Sequence, residues 1–365
     1  MPRSPKLKRL PDDFVVEELS ELPLTGGEFA VYRLRKRSLG TMEAMDLVAR
    51  TWNLPRASMA WGGLKDRHAI TEQLVTIRGG LREDLQRATV DLRYLGQARR
   101  PISAQDLSGN RFRIVLRDFA PGVEPAVDGA IAEVAKNGIL NLFDDQRFRS
   151  VGPSGEYIAH AWCEERYERA LWLAFAEENE ADTAEERREK QILRDLWGKW
   201  TEAKAALTRS HRRSVITYLA DHPTDFRGAF EIVRRDLRSL WLSAWQSSIW
   251  NRALEEAAKE RTDLESLAMP LPSARTEFDD ASIAALFERV LAPMGLSVAK
   301  LKIRHGRDVY FARGKRTAIA RPGELRHEWA DDELYPNRRK LTLSFTLGRG
   351  SYATLVVKRI QAAAQ

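Results

Sequence analysis

Residues 62–73, Gly-Gly-Leu-Lys-Asp-Arg-His-Ala-Ile-Thr-Glu-Gln, set an aspartate between two cations. Lys65 and Arg67 both favour the ionised form of Asp66, which suits a carboxylate serving as nucleophile or base at neutral pH. A solvated surface loop also looks like this, because isolated exposed charges contribute little. Further unusual stretches are Asn141-Leu-Phe-Asp-Asp-Gln-Arg-Phe148 and the polar residues Gln246, Ser247 and Asn251 among Trp241, Ala244, Trp245 and Trp250. Several chemistries are absent from the text. It contains no G-x-x-x-x-G-K-[ST] loop, no complete G-x-G-x-x-G and no H-E-x-x-H, and its 6 histidines are scattered. Neither a metal site nor a nucleotide cofactor is expected. Gly348-Arg-Gly350 lacks the third glycine of a dinucleotide loop and reads as a turn. Cys163 is the only cysteine, so an intrachain disulfide and a cysteine-rich zinc site are both excluded, and it reads as a packing residue.

The elements that must position these residues follow from local patterning. Residues 14–19 and 28–35 read as strands joined through Gly26-Gly27 as a hairpin. Met45, Val48, Ala49 and Trp52 fall on one face of a helix, with Thr41 as its cap. Residues 58–61 form a short strand and 71–77 another, which leaves Asp66 on the connection between them. Residues 89–95 alternate in the manner of a half-buried strand. Residues 111–117 do the same, with Phe112, Ile114 and Leu116 inward and Arg111, Arg113 and Arg117 outward. That arginine row is either a solvated face or a phosphate track. A helix over 124–136 stops at Asn137-Gly138. From about 155 to 300 long charged helices take over, with an acidic run at 177–189 read as a solvated face and a long helix over 236–258. Residues 341–347 alternate as a strand, turn at 348–350 and lead into a closing helix.

A chain of 365 residues with 43% apolar residues and 10 tryptophans can build two domains with substantial cores. Strands at both ends around a helical middle suggest a sheet domain interrupted by a helical insertion. No stretch approaches the ~18 apolar residues of a membrane span, and the N-terminus carries no apolar leader, so a cytoplasmic protein without a membrane partner is expected. The net charge of +7 tilts the chain towards a polyanion. Its basic residues gather at 6–9, 33–37, 99–117, 208–213, 234–238, 302–316 and 338–340.

Six blocks, in order along the chain, carry a resemblance. They are Asp13-Phe14-x-Val16-x-Glu18, Gly63-x-Lys65-Asp66-x-x-Ala69-x-Thr71-x-Gln73, Gly109-Asn110-x-Phe112, Asn141-x-Phe143-x-x-Gln146-Arg147-Phe148, Gln246-Ser247-x-x-x-Asn251 and Gly350-Ser351-Tyr352-Ala353-Thr354. Together they resemble the TruD family of pseudouridine synthases. The resemblance implies an α+β fold: a catalytic domain with a mixed, largely antiparallel sheet, over residues 1–155 and 320–365, and an inserted, mainly helical domain over 156–319. It implies a tRNA-modifying isomerase, working without cofactor on uridine 13 of tRNA. Asp66 would be the catalytic residue, attacking the flipped uridine at C1′ or C6 before the base is rejoined through C5. Phe143 would stack on the base, with Asn141 bonding near Asp66 or the base; the alternative for Phe143 is core packing. Lys8 would pair with the carboxylate or a phosphate, and Lys65 would serve the same electrostatic purpose. Glu18, Gln73, Gln146 and Arg147 would hold loops in register.

The second motif departs from the family's Asn-aromatic-Phe-Gly-x-Gln-Arg-Phe-Gly, with Leu142, Asp144 and Arg149 replacing the aromatic residue and both glycines. Lost glycines alter a loop that needs positive φ or close approach to RNA, which bears on the target more than on the chemistry. The alternatives to a tRNA synthase are a synthase with another RNA target, a non-catalytic RNA-binding or remodelling protein on the same fold, and a basic protein binding another polyanion. A monomer is expected, with RNA in a cleft between the domains.

Overall fold

The computed structural model describes residues 5–306 and 308–364, so the first four residues of the segment read for a leader, and Arg307 in the 302–316 basic cluster, lie outside it. The chain forms two compact units. One runs up to residue 141 and resumes at 320; the other spans 142–319. Residues 142–155, grouped with the catalytic domain in the sequence reading, belong to the second unit. Among the described residues no helix is long and apolar enough to cross a membrane.

The first unit is built on a ten-stranded sheet. Its strands are β1 (Lys6–Leu7), β2 (Phe14–Ser20), β3 (Phe29–Arg37), β4 (Met59–Trp61) and β5 (Ile70–Arg78). They continue with β6 (Leu85–Arg87), β7 (Val90–Ala98), β8 (Leu107–Phe119), β9 (Gly323–Asp331) and β10 (Arg339–Gly348). The order is β9-β10-β8-β2-β5-β3-β7-β6, with β1 beside β8 and β4 beside β5. Only β2 and β5 run parallel, so the sheet is mixed and largely antiparallel. The hairpin expected across Gly26-Gly27 does not form. β5 lies between β2 and β3, parallel to the first and antiparallel to the second. Residues 21–28 are a longer connection than a tight hairpin turn needs and carry the chain past β5.

Register decides which face each side chain joins, because successive residues of a strand point to opposite sides. Val16 aligns with Phe112 on β8 and Thr71 on β5, and Thr71 aligns with Lys36 on β3. Helices Glu124–Asn137 and Ala353–Ala362 lay Val127, Ile131, Val356 and Ile360 over Phe14, Val16, Phe112 and Phe345 at one end of this face. At the other end, helix Thr41–Trp52 lays Ala44, Met45 and Val48 over Tyr32, Leu34, Val75 and Ile77. Each buried valine, leucine, isoleucine, methionine or phenylalanine among them contributes about 1.5–3 kcal/mol by leaving water, which anchors the helices firmly on the sheet. Between the two apolar patches the same face carries a polar strip: Glu18, Lys36, Thr71, Gln73 and Asn110. Two local expectations change. Helix Thr41–Trp52 is capped by Gly40, whose N–H donates to Glu43, so the Thr41 hydroxyl is available for other work. Helix Glu124–Asn137 does end at Gly138, with φ 70.

The arginine row on β8 divides. Arg111 faces out and pairs with Glu17 across the strands at 2.6 Å, in keeping with a solvated face. Arg117 is not outward. It is 4% exposed and bonded to Asp13 (2.9 Å), Asp332 (3.0 Å) and Glu333 (3.0 Å). Here β1 and β10 flank β8, and Asp118, at φ 68, breaks the alternation.

In the second unit the helix Arg235–Glu260 is central, burying Trp241, Trp245 and Trp250, with helices Ile158–Cys163 and Ala281–Leu291 packed on it. A short antiparallel pair, Ala268–Pro270 with Lys315–Thr317, stands beside it. The acidic run at 177–189 is only partly a solvated face. Asp182 makes a buried pair with Lys190 at 2.8 Å, and Glu189 turns inward to Arg212, because helix Ala184–Asp195 lays one side on its neighbours.

Candidate active site

Asp66 lies on the loop between β4 and β5, and buried side chains of the polar strip hold the backbone of that loop. Gln73 donates from Nε2 to the Gly63 carbonyl at 2.9 Å and accepts from the Thr41 hydroxyl at 3.0 Å. The Lys65 N–H donates to the same Thr41 oxygen at 3.0 Å. Lys36, wholly buried, donates from Nζ to the carbonyls of Leu39 (2.6 Å), Asp66 (2.8 Å) and, at a long 3.4 Å, Lys65. Burial pushes the Lys36 ammonium down to about 8, and the nearby Asp66 carboxylate partly opposes that shift.

The charges around Asp66 are not those adjacent in sequence. Lys65 turns inward, pairing with Glu18 at 2.8 Å and donating to Asn110 at 2.7 Å, and Glu18 and Asn110 face each other across β2 and β8. Arg67 pairs with Glu43. The cation on the Asp66 carboxylate is Lys8, with Nζ 2.5 Å from Oδ2. Lys8 follows β1 in a left-handed conformation, φ 57, and its ammonium also stands 4.0 Å from the centroid of the Phe14 ring. The Asp66 side chain is 43% exposed, so its charge is stabilised by pairing and by water together.

Of the site residues expected from sequence, the structure gathers Lys8, Glu18, Lys65, Asp66 and Gln73 at this one place in the first unit. Asn141 is buried, at the end of that unit's first segment. Phe143, Gln146 and Arg147 belong to the second unit, where Arg147 stands over the Phe143 ring. The Phe143 N–H donates to Asn251 Oδ1 and its carbonyl accepts from Asn251 Nδ2, both at 2.8 Å. The long helix thereby grips the Phe143 backbone from both sides. The ring, half-buried, meets Trp250 edge-on at 5.6 Å, with the Arg316 and Arg147 guanidiniums at 4.4 and 5.4 Å from its centroid. Arg316 also donates to the Leu142 carbonyl at 3.0 Å. Gln146 is exposed. Neither lost glycine strains this loop, since Asp144 (φ −82) and Arg149 (φ −59) both have ordinary backbone geometry.

Sequence reasoning missed Thr41, Lys36 and Arg316. For Lys36 a signal existed: it shares the two-residue alternation of Tyr32 and Leu34, so a lysine stands at a core-facing position of β3. Thr41 was read as a cap, and Arg316 carried no local signal.

Comparison with known proteins agrees with this architecture. The family model for tRNA pseudouridine synthase D (TruD) matches residues 3–268 and 264–360. A Methanococcus maripaludis protein named "Probable tRNA pseudouridine synthase D 1" is 28% identical over 392 residues, covering 97% of this chain and 99% of its own. The tRNA pseudouridine synthase D of Aquifex aeolicus is 24% identical, covering 97% of each chain. The crystal structure of a Methanosarcina mazei protein assigned as TruD superposes with a TM-score of 0.80 at 23% identity, over 99% of this chain and 94% of that one, a likeness of fold. With the family model matched from residue 3 to residue 360, the protein belongs to the tRNA pseudouridine synthase D (TruD) family of isomerases.

Proposed function

We propose that the protein converts uridine 13 of transfer RNA to pseudouridine with Asp66 as nucleophile. The observation that carries this reading is a half-exposed carboxylate, paired with Lys8 at 2.5 Å, on a loop whose backbone is held by buried Lys36, Thr41 and Gln73. Such a group is reachable by substrate, and the backbone that carries it is held in place. Once the uridine is flipped, at roughly a few kcal/mol for unstacking, Asp66 bonds to C1′ or C6. The N1–C1′ bond breaks with its electron pair leaving on the uracil ring. The ring turns until C5 faces C1′, a C5–C1′ bond forms, and the carboxylate is released. C5 loses its proton and N1 gains one, so the change is an isomerisation without oxidant, reductant or net hydrolysis.

Phe143 stacks on the flipped base and Asn141 bonds near the base or Asp66. Lys8 pairs with the Asp66 carboxylate, while Lys65, Glu18 and Gln73 hold the loop. Gln146 and Arg147 support the Phe143 turn. The test is pseudouridine mapping on RNA from cells lacking the gene, rescued by the wild-type chain or by Asp66→Asn. Loss at uridine 13 of tRNA, restored only by the wild type, is the expected result. Restoration by Asp66→Asn would overturn the catalytic role of Asp66. Loss at another RNA would overturn the target alone. If no position changes, and purified protein yields no Asp66-dependent product on tRNA, the reading falls to that of an RNA-binding protein.

A further inference from the structure

We propose that Lys36 is a positioning residue for the reaction: its buried ammonium, bound to the backbone carbonyls of Leu39, Lys65 and Asp66, fixes the segment that carries the reacting carboxylate. The inference rests on Asp66 being that carboxylate. Lys36 occupies a core-facing place on β3, beside Leu34 and opposite Thr71, where an apolar residue would satisfy the sheet. It reaches instead to the loop, 2.8 Å from the Asp66 carbonyl oxygen and 2.6 Å from that of Leu39. Among the described residues no carboxylate shares a hydrogen bond with it; its acceptors are backbone carbonyls. Burying an ammonium among neutral acceptors is unfavourable for folding, and groups that weaken a fold gather where function requires them.

The charged groups facing Lys36 are Asp66 and Lys65 from the loop and Glu43 from helix Thr41–Trp52. Asp66 and Glu43 favour the ammonium, while Lys65 and burial disfavour it. Lys8 and Arg67 act at one remove, paired with Asp66 and Glu43. An ammonium has three protons for three carbonyls and an amine has only two. Deprotonation therefore releases one carbonyl and the charge that draws the loop inward. Turnover then falls on the alkaline side as Lys36 loses its proton, while RNA affinity is preserved.

The experiment measures kcat and KM on a tRNA transcript from about pH 6 to about pH 10 for the wild type, Lys36→Met, Glu43→Gln and Asp66→Asn. Lys36→Met should lower kcat at neutral pH by about tenfold or more, with KM changed by less than about threefold, because misplacing a reacting group costs rate rather than binding. Its alkaline fall should be gone. Glu43→Gln keeps an oxygen to accept from Gly40 and removes the charge, together with the ion pair to Arg67, so its alkaline fall should begin at lower pH than in the wild type. The Glu43 side chain is 42% exposed, so this variant folds and decides the matter should Lys36→Met fail to fold. Wild-type kcat in folded Lys36→Met, an unchanged alkaline limb in it, or an unmoved limb in Glu43→Gln each overturns the proposal. Activity in Asp66→Asn equal to the wild type overturns instead the reading on which it rests.

Discussion

Lys8 and Asp66, 58 residues apart in sequence, form an ion pair of 2.5 Å, while both charged neighbours of Asp66 turn to other carboxylates. The lysine reaches the loop from a left-handed backbone position at the end of β1. Strain of that kind costs about 1–3 kcal/mol and persists where the surroundings hold it. Here β1 is held to β8 by the pairing of Leu7 with Leu116.

Replacing Lys8 by Met should therefore slow pseudouridine formation by about tenfold or more in single turnover, as for other removed charge partners in a reacting site. Asp66→Asn sets the zero of the assay. A Lys8→Met enzyme as fast as the wild type would show the pair to be a bystander.

Phe143 offers a test that separates base stacking from core packing. If its ring receives the base, Phe143→Tyr keeps activity and Phe143→Leu loses it, since only an aromatic face stacks. If the ring only fills space, Leu serves as well as Tyr. Asn251→Ala should lower stability by about 1–3 kcal/mol in urea, because it leaves both backbone groups of Phe143 without their partner.

Two glycines should respond with opposite sign. A Cβ on Gly109 would lie 2.2 Å from the Leu347 carbonyl oxygen, a backbone atom of the paired strand β10 that cannot step aside. Gly109→Ala should destabilise by about 1–3 kcal/mol and lower activity by displacing Asn110, which accepts from Lys65. Gly129, inside helix Glu124–Asn137, has nothing within 4 Å of its Cβ position. Gly129→Ala should stabilise by about 0.5–1 kcal/mol. Urea midpoints at constant slope read both changes.

Lys36 makes stability depend on pH in a direction unusual for a lysine. Its value of about 8 in the folded chain lies below the ordinary 10.5. Between these limits the unfolded chain keeps a proton that the folded chain has released, so the Lys36 contribution to stability rises with pH, by on the order of 3 kcal/mol across the window. The stability difference between wild type and Lys36→Met should move in favour of the wild type from about pH 8 to about pH 10.5. A difference that stays flat would show an ordinary lysine.

Much of this protein is legible from residue order. Alternation marks β7, β8 and β10, apolar spacing marks helix Thr41–Trp52, and Gly138 marks a helix end, because each depends on neighbours within a few residues. The six blocks carry the family, and with it the fold. What needed the tertiary structure was the identity of partners. Lys65 and Arg67 flank Asp66 in the text, yet a side chain on each can swing several ångströms away, and both do. Arg117 continues the outward row of β8 by alternation, but the end of that strand is buried and three carboxylates surround it. Lys36 sits in the basic cluster at 33–37, and its burial follows from the register of β3 with β5. Period and propensity say which way a side chain points. Which charge it meets depends on strand pairing across tens of residues, and only the assembled sheet decides that.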